Sequence, residues 1–224
     1  SYRLRIAESI LDVMPNFTST DIDGIVQAEG IVSDFSSTYT LGDPGASSML
    51  SVFTIDMHAD VPTVEDGNSV LTTSGREVFM SSENLYLFQP KWGETQETQV
   101  IKFDVDTNPA EDEIDIAPIG SGVVPGRMLD QFSADEFRGD LRIATTVGWG
   151  EESSSGVYVL DTVEGDLVVK GSVENLAPTE QIYSARFMGE RAYIVTFRQV
   201  DPLFAIDMSD PADPTVEGEL KITG

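Results

Sequence analysis

The chain of 224 residues contains no cysteine. Disulfides, thiolate metal sites and thiol nucleophiles are excluded. The compartment stays open, because exported proteins also manage without cysteine. There is one histidine, His58, so zinc or iron sites built on several imidazoles are excluded as well. His58 lies in DMHAD between Asp56 and Asp60. A Ser-His-Asp triad would need a partnered nucleophile, and no G-x-S-x-G elbow occurs. The residue reads as a solvated turn histidine. No GK[ST] phosphate loop is present, and no run is long and apolar enough to cross a bilayer. The sequence opens on SYRLRIAESI rather than Met, so a missing leader carries no information.

Basic residues are also scarce: 13 Lys and Arg stand against 39 Asp and Glu, a net charge of -26. Nucleic acid as a partner is excluded on this balance, because phosphate contacts need clustered cations. Direct membrane insertion and binding to anionic membrane surfaces are disfavoured too. The acidity does not mean disorder, since apolar residues fall in regular strand-like runs. Many acids with only four lysines fit a folded protein in a salt-rich setting, where high ionic strength screens self-repulsion.

What the chain has is a recurring strand and turn. MLSVFTID, TQVIKFD, SGVYVLD and DPLFAID end at Asp56, Asp104, Asp161 and Asp207, in steps of 48, 57 and 46 residues. Alternating apolar residues that run into a turn at this period predict β-propeller blades. The fold class is therefore all-β, with blades of four antiparallel strands. Three blades can be drawn in full. The last uses QIYSARF (181–187), RAYIVTF (191–197), LFAID (203–207) and TVEGELKI (215–222). The middle one uses LDQFSAD (129–135), DLRIATTV (140–147), GVYVLD (156–161) and DLVVKGSV (166–173). The earlier one uses SGREVFMS (74–81), NLYLFQ (84–89), TQVIKFD (98–104) and EIDIAPI (113–119). A first blade is partial, with MLSVFTID (49–56) and VPTVEDG (61–67). The expected organisation is an irregular N-terminal segment, 1–48, packed on a single propeller domain, 49–224; ESILDVM (8–14) is its one candidate helix. EESSS (151–155) reads as the most flexible hairpin loop.

GVVPGRMLDQFSADEFRGDLRIATTVG (122–148) and IYSARFMGERAYIVTFRQVDPLFAIDMSDPADPTVEGELKI (182–222) resemble a family of secreted β-propeller domains of archaea and bacteria, distantly related to WD-type propellers. The resemblance covers residues 49–222 well and 1–48 loosely. It implies an extracellular or cell-surface location and a propeller longer than this chain. The chain then corresponds to a fragment, a processed product or one part of a split propeller. The resemblance implies no chemistry, because the family has no assigned activity. Total blade number and oligomeric state stay open.

Four local patterns were weighed for chemistry. DVDTNPAEDEID (104–115) places Asp104, Asp106 and Asn108 at alternate positions of a calcium-type loop, with Asp115 twelfth. Hard oxygen donors at this spacing can wrap calcium, but Pro109 stands where an EF-hand needs Gly, so an acidic turn is the favoured reading. Gly120, Gly122 and Gly126 in GSGVVPG lack the strand-to-helix context of a dinucleotide loop and read as a turn between blades. DMSDPADP (207–214) reads as Asp-Pro turn chemistry. Asn16 in NFT is the glycosylation candidate. Trp92 and Trp149 both end second strands, where packing accounts for them as well as ligand contact does. No catalytic residue or cofactor emerges, apart from the calcium candidate.

The leading functional expectation is a non-enzymatic extracellular or cell-surface scaffold. Its partner would be a protein or polysaccharide bound at the face carrying residues 9–48 and 148–156. Two alternatives stand beside it: a structural subunit that assembles with copies of itself through open blade edges, and an acidic-residue hydrolase, with or without calcium.

Overall fold

A computed structural model describes residues 14–34, 36–40, 48–56, 59–72, 77–93, 95–106, 115–197 and 201–222. Contacts divide the chain into two units, residues 1–74 with 104–117, and residues 75–103 with 118–224.

The first unit holds β1 (Asn16–Thr20), β2 (Val26–Ile31), β3 (Thr38–Thr40), β4 (Ser48–Ile55) and β5 (Val64–Thr72). β1 and β2 form an antiparallel hairpin. Its tight turn is fixed by Asp21, whose side chain accepts from the amides of Asp23 and Ile25, the Asx chemistry expected of such turns. β5 lies between β3, which it meets in parallel, and antiparallel β4. The stretch expected to be irregular therefore carries strands, because NFTST and VQAEGI alternate exposed with partly buried residues once paired. The weak strand 61–67 is displaced to Val64–Thr72. Pro62 supplies no amide to a ladder, and Val70 supplies a core residue that is almost fully buried. In the same unit, Asn68 and Asp66 bind the carbonyl and the amide of Ile116 through their side chains. The candidate helix lies outside the described residues except for Met14.

The second unit is built from four-stranded blades. β6 (Glu77–Met80), β7 (Asn84–Trp92), β8 (Gln96–Asp106) and β9 (Asp115–Pro125) follow one another across one blade. The next has β10 (Arg127–Met128) and β11 (Ala134–Phe137) end to end along one edge of β12 (Asp140–Val147), β10 pairing with Thr145 and Thr146 and β11 with residues 140–143. It continues through β13 (Ser154–Val163) and β14 (Asp166–Leu176). The last blade is an unbroken meander of β15 (Gln181–Met188), β16 (Arg191–Phe197), β17 (Asp201–Asp207) and β18 (Thr215–Ile222). The structure thus bears out an all-β chain with three full blades and a partial first one.

Each blade faces its neighbour through an apolar layer. Tyr86, Phe88, Val100 and Val124 meet Leu141, Ile143 and Leu160. Ala144, Val157 and Val159 meet Ala185, Ile194, Phe204 and Ile206. Burial of alternate residues on both sheets is what the two-residue period of a strand requires. The area removed from water at these seams, worth roughly 25 cal/mol per Å², is the main stabilising term.

Three local expectations are corrected. GSG is not a turn: Gly120 and Gly122 lie inside β9, and Gly126, with φ of 84°, makes the turn. β14 meets β9 in parallel at Ser121 and Gly122, so closely that a Cβ on Gly122 would collide with the carbonyl of Leu167. The strand expected at 129–135 starts only at Ala134. Asp130 accepts from the Phe132 amide at 3.0 Å and caps a short 3-10 turn, Gln131–Ser133, instead. EESSS is not a loose loop: residues 150–152 form another 3-10 turn, and Ser153 and Ser155 are buried.

Candidate functional site

Two regions of the second unit bring together side chains that lie far apart in sequence. The first is at the end of the blades that carries residues 148–156. Trp149 follows Gly148, whose φ of 75° turns the chain out of β12. The indole is 57% exposed, and the Arg127 guanidinium stacks on it at 3.8 Å. Arg127 also donates to the Gly148 carbonyl at 3.1 Å and to Gln181 Oε1 at 2.7 Å. One side chain therefore ties β10, the loop after β12 and the start of β15. Burial lowers the Arg127 pKa from its ordinary value, though not enough to discharge a guanidinium near neutral pH.

Beside this stack is an open cleft of about 350 Å³, lined by Leu129, Gly150, Thr179, Gln181, Tyr183 and Phe197. Tyr183 is 71% exposed, and its ring lies 6.0 Å from that of Phe197, tilted by 55°. The loop along the cleft is strained. Asn175, Ala177 and Thr179 all have positive φ, 58°, 45° and 77°, and a β-branched residue such as Thr179 seldom adopts that conformation. The Thr179 amide donates to the Ser153 carbonyl at 2.6 Å, which helps hold the loop there. Such strain persists only where the surroundings enforce it.

The second region is a cleft of about 370 Å³ between the innermost strands of three successive blades. β6 supplies Val78, Phe79 and Met80, the 3-10 turn before β11 supplies Phe132, and β15 supplies Arg186 and Phe187. Arginines alternate with phenylalanines here. Arg186 stacks on Phe132 at 4.7 Å, and Arg142 on Phe187 at 5.2 Å and Phe137 at 4.6 Å. Arg142 is buried, forms an ion pair with Asp135 and donates to the Gly189 carbonyl.

The sequence-derived candidates are placed as follows. Asp104 is an exposed residue of β8 and Asp106 ends that strand, while Asn108 lies outside the described residues. The calcium trio as a whole thus falls partly outside the described residues; among those described, no group of three or more His, Asp or Glu is placed to hold a metal ion. Asn16 is the exposed first residue of β1, opposite Ile31 in the hairpin. His58 lies outside the described residues. The recurring aspartates keep one structural position: Asp104, Asp161 and Asp207 lie in the third strands β8, β13 and β17, and Asp56 directly follows β4. In DMSDPADP, the Asp207 and Asp210 carboxylates accept from the amides of Ser209 and Ala212, so these acids shape the turn. Of the two tryptophans, Trp149 belongs to the exposed aromatic group. The cleft residues Leu129, Tyr183 and Phe197 carry no local sequence signal. Only the blade period, which aligns strand ends, could have grouped them.

Successive antiparallel meanders packed through apolar seams are the architecture of a β-propeller. A family model described as a β-propeller domain matches residues 5–224, and the chain belongs to that family. It is similar to an uncharacterized protein of Methanocaldococcus jannaschii, 40% identical over 136 residues, which are 59% of this chain and 20% of that protein. An uncharacterized protein of Archaeoglobus fulgidus is 42% identical over 131 residues, 58% of this chain and 19% of that protein. The matched segment thus spans about a fifth of the length of these relatives.

Proposed function

We propose that the chain is a non-enzymatic propeller scaffold, extracellular or at the cell surface, that binds a protein or glycan partner at the Trp149 end of its last two blades. The observation that carries this reading is the convergence of exposed Leu129, Tyr183 and Phe197 around one cleft, with exposed Trp149 next in sequence to its lining residue Gly150 and stacked on Arg127, which bonds the lining Gln181. Aromatic groups that keep solvent exposure on a rigid frame supply contact area at low entropic cost, and such residues dominate binding energy at interfaces. The strained loop 175–179 and the Arg127 bridge hold the frame in place before a partner arrives. Surface proteins and polysaccharides of the native envelope are the substrates of choice for a test. Immobilised wild-type chain should retain a defined component that the Trp149→Ala/Tyr183→Ala double variant, with an unchanged melting temperature, does not. Equal retention by both proteins would remove the site.

A second reading is favoured by a separate observation. The last blade buries Ala192, Ile194, Phe204 and Ile206 against its neighbour, while Tyr193, Val195, Leu203 and Ala205 alternate with them on the other face and are only half-buried. Leu220 on β18 is exposed in register with Leu203. An apolar blade face of this kind suits a further blade or another copy, the structural-subunit role. Sedimentation at working salt tests it, and a monomer across the concentration range would set it aside.

A further inference from the structure

The geometry points to the inner cleft between β6, the 3-10 turn before β11, and β15 as a receptor for a carboxylate carried on an apolar body, with Arg186 as its anchor. Cations are rare in this chain, and six of the nine described ones are already matched. Lys91, Arg138, Arg142, Lys170, Arg191 and Lys221 all form ion pairs. Arg186 does not, among the described residues. Its one protein hydrogen bond runs from Nη1 to the carbonyl of its neighbour Ala185, at 2.7 Å. Lys102 and Arg127 also lack a carboxylate among the described residues, but each donates to groups on other strands or loops, Lys102 to Thr162 and Arg127 to the Gly148 carbonyl and Gln181, whereas Arg186 bonds only its own neighbour.

Its surroundings select the ligand. Phe132 stacks on the guanidinium at 4.7 Å and is itself 54% exposed. Stacking occupies a face of the guanidinium and leaves N–H donors free in its plane, the arrangement that grips a carboxylate through two parallel hydrogen bonds. Val78, Phe79, Met80 and Phe187 supply an apolar stretch of wall, beside polar Gln131 and Asp135. That stretch accepts a hydrocarbon or aromatic body, while the exposed guanidinium takes the carboxylate. Asp135 also lines the cleft, but its Oδ2 is already held by Arg142, which offsets its charge. A cleft of about 370 Å³ is at the small end of ligand sites. The carboxylate can belong to a free small acid or to the end of a peptide chain.

Calorimetric titration of the full chain tests this with four probes: phenylacetate, phenylacetamide, a short peptide ending in Phe with a free carboxylate, and the same peptide amidated. Phenylacetate should bind about tenfold or more tightly than its amide, the range expected of a charge-assisted hydrogen-bond pair. Arg186→Gln should bring the acid down to the level of the amide. Phe132→Leu, which keeps the cation but removes its platform, should weaken the acid several-fold. If only the peptide acid shows the carboxylate preference, the source is a polypeptide terminus; if phenylacetate shows it too, a free acid suffices. Equal binding of acid and amide by the wild type, or no binding of either acid at millimolar concentration, would overturn the assignment even if a variant failed to fold. Retention of full affinity by folded Arg186→Gln would overturn it as well.

Discussion

Among single residues, Tyr86 carries the least expected cost. It is fully buried, and among the described residues neither its hydroxyl nor Glu136 Oε2 has a hydrogen-bond partner, although Glu136 Oε1 accepts from Asn84 at 2.8 Å. Burial first, and then the negative charge of Glu136, pushes the Tyr86 hydroxyl far above its ordinary pKa. Burial does the same to Tyr158, with Glu174 as the second cause. A raised pKa of this kind contributes stability that is present below about pH 10, the unfolded value, and lost as pH rises toward the folded one. Tyr86→Phe should therefore unfold within about 1 kcal/mol of wild type at pH 7, because an unpaired hydroxyl is given up. It should also lose less stability than wild type between about pH 9.5 and 11; urea midpoints at those pH values decide both points. At the acid end the sign reverses. The Asp207 carboxyl is held below its ordinary pKa chiefly by hydrogen bonding to Ser209, with the Arg191 charge a lesser cause. Its stabilisation is present above the unfolded value near 3.8 and disappears as pH falls through the lower folded value. Asp207→Asn should flatten the loss of stability below about pH 4, which an acid titration followed by circular dichroism would show; a slope identical to wild type would contradict it.

At the scale of elements, the turn shaped by Asp207 and Asp210 also sets how close two blades come. A Cβ added at Gly171, a buried residue of the outer strand β14, would collide with the carbonyls of Pro211 and Ala212. Both obstacles are backbone, so neither can swing away. Gly171→Ala should lower stability by about 1–3 kcal/mol, seen as a lower melting temperature, whereas Gly139→Ala meets no atom within 4 Å and should cost only the strain of its φ of 86°. Equal melting of the two variants would refute the close approach. The same contrast explains what could be read from the sequence. The last blade was legible nearly to the residue, because strict alternation in QIYSARF and RAYIVTF coincides with the tight turn at Gly189. The GSG segment was not, because glycine signals a turn from sequence alone, and only the packing of Leu167 against Gly122 reveals its other use. LDQFSAD alternates like a strand, yet Asp130 finds the Phe132 amide locally and bends the chain first. The candidate sites were hidden for a different reason: Leu129, Tyr183 and Phe197, like Phe132 and Arg186, meet only after blades stack. No linear spacing encodes that meeting.

Over the whole molecule, the balance lies between apolar seams that hold the blades and a charge of -26 that pushes them apart. The ion pairs do little to offset the repulsion. Arg191–Glu217, Lys91–Glu97 and Arg138–Glu190 are all substantially exposed, and such pairs contribute about 0–1 kcal/mol each. Salt acts on both terms, weakening the few attractions and the many repulsions. With three acids for every base, the repulsions dominate, so screening should stabilise the fold. The Debye length is about 10 Å at 0.1 M and about 3 Å at 1 M. Most of the electrostatic gain should therefore be complete below about 1 M KCl, with a melting temperature higher by several degrees. Exclusion of a salt such as sulfate from the surface works differently, because it strengthens apolar burial without depending on charge. A rise that continues linearly in sulfate but levels off in KCl would separate the two contributions. A melting temperature that stays flat or falls from low salt to molar KCl would show that the acidic surface is not what limits stability, and with it the salt-rich setting read from the composition would lose its physical basis.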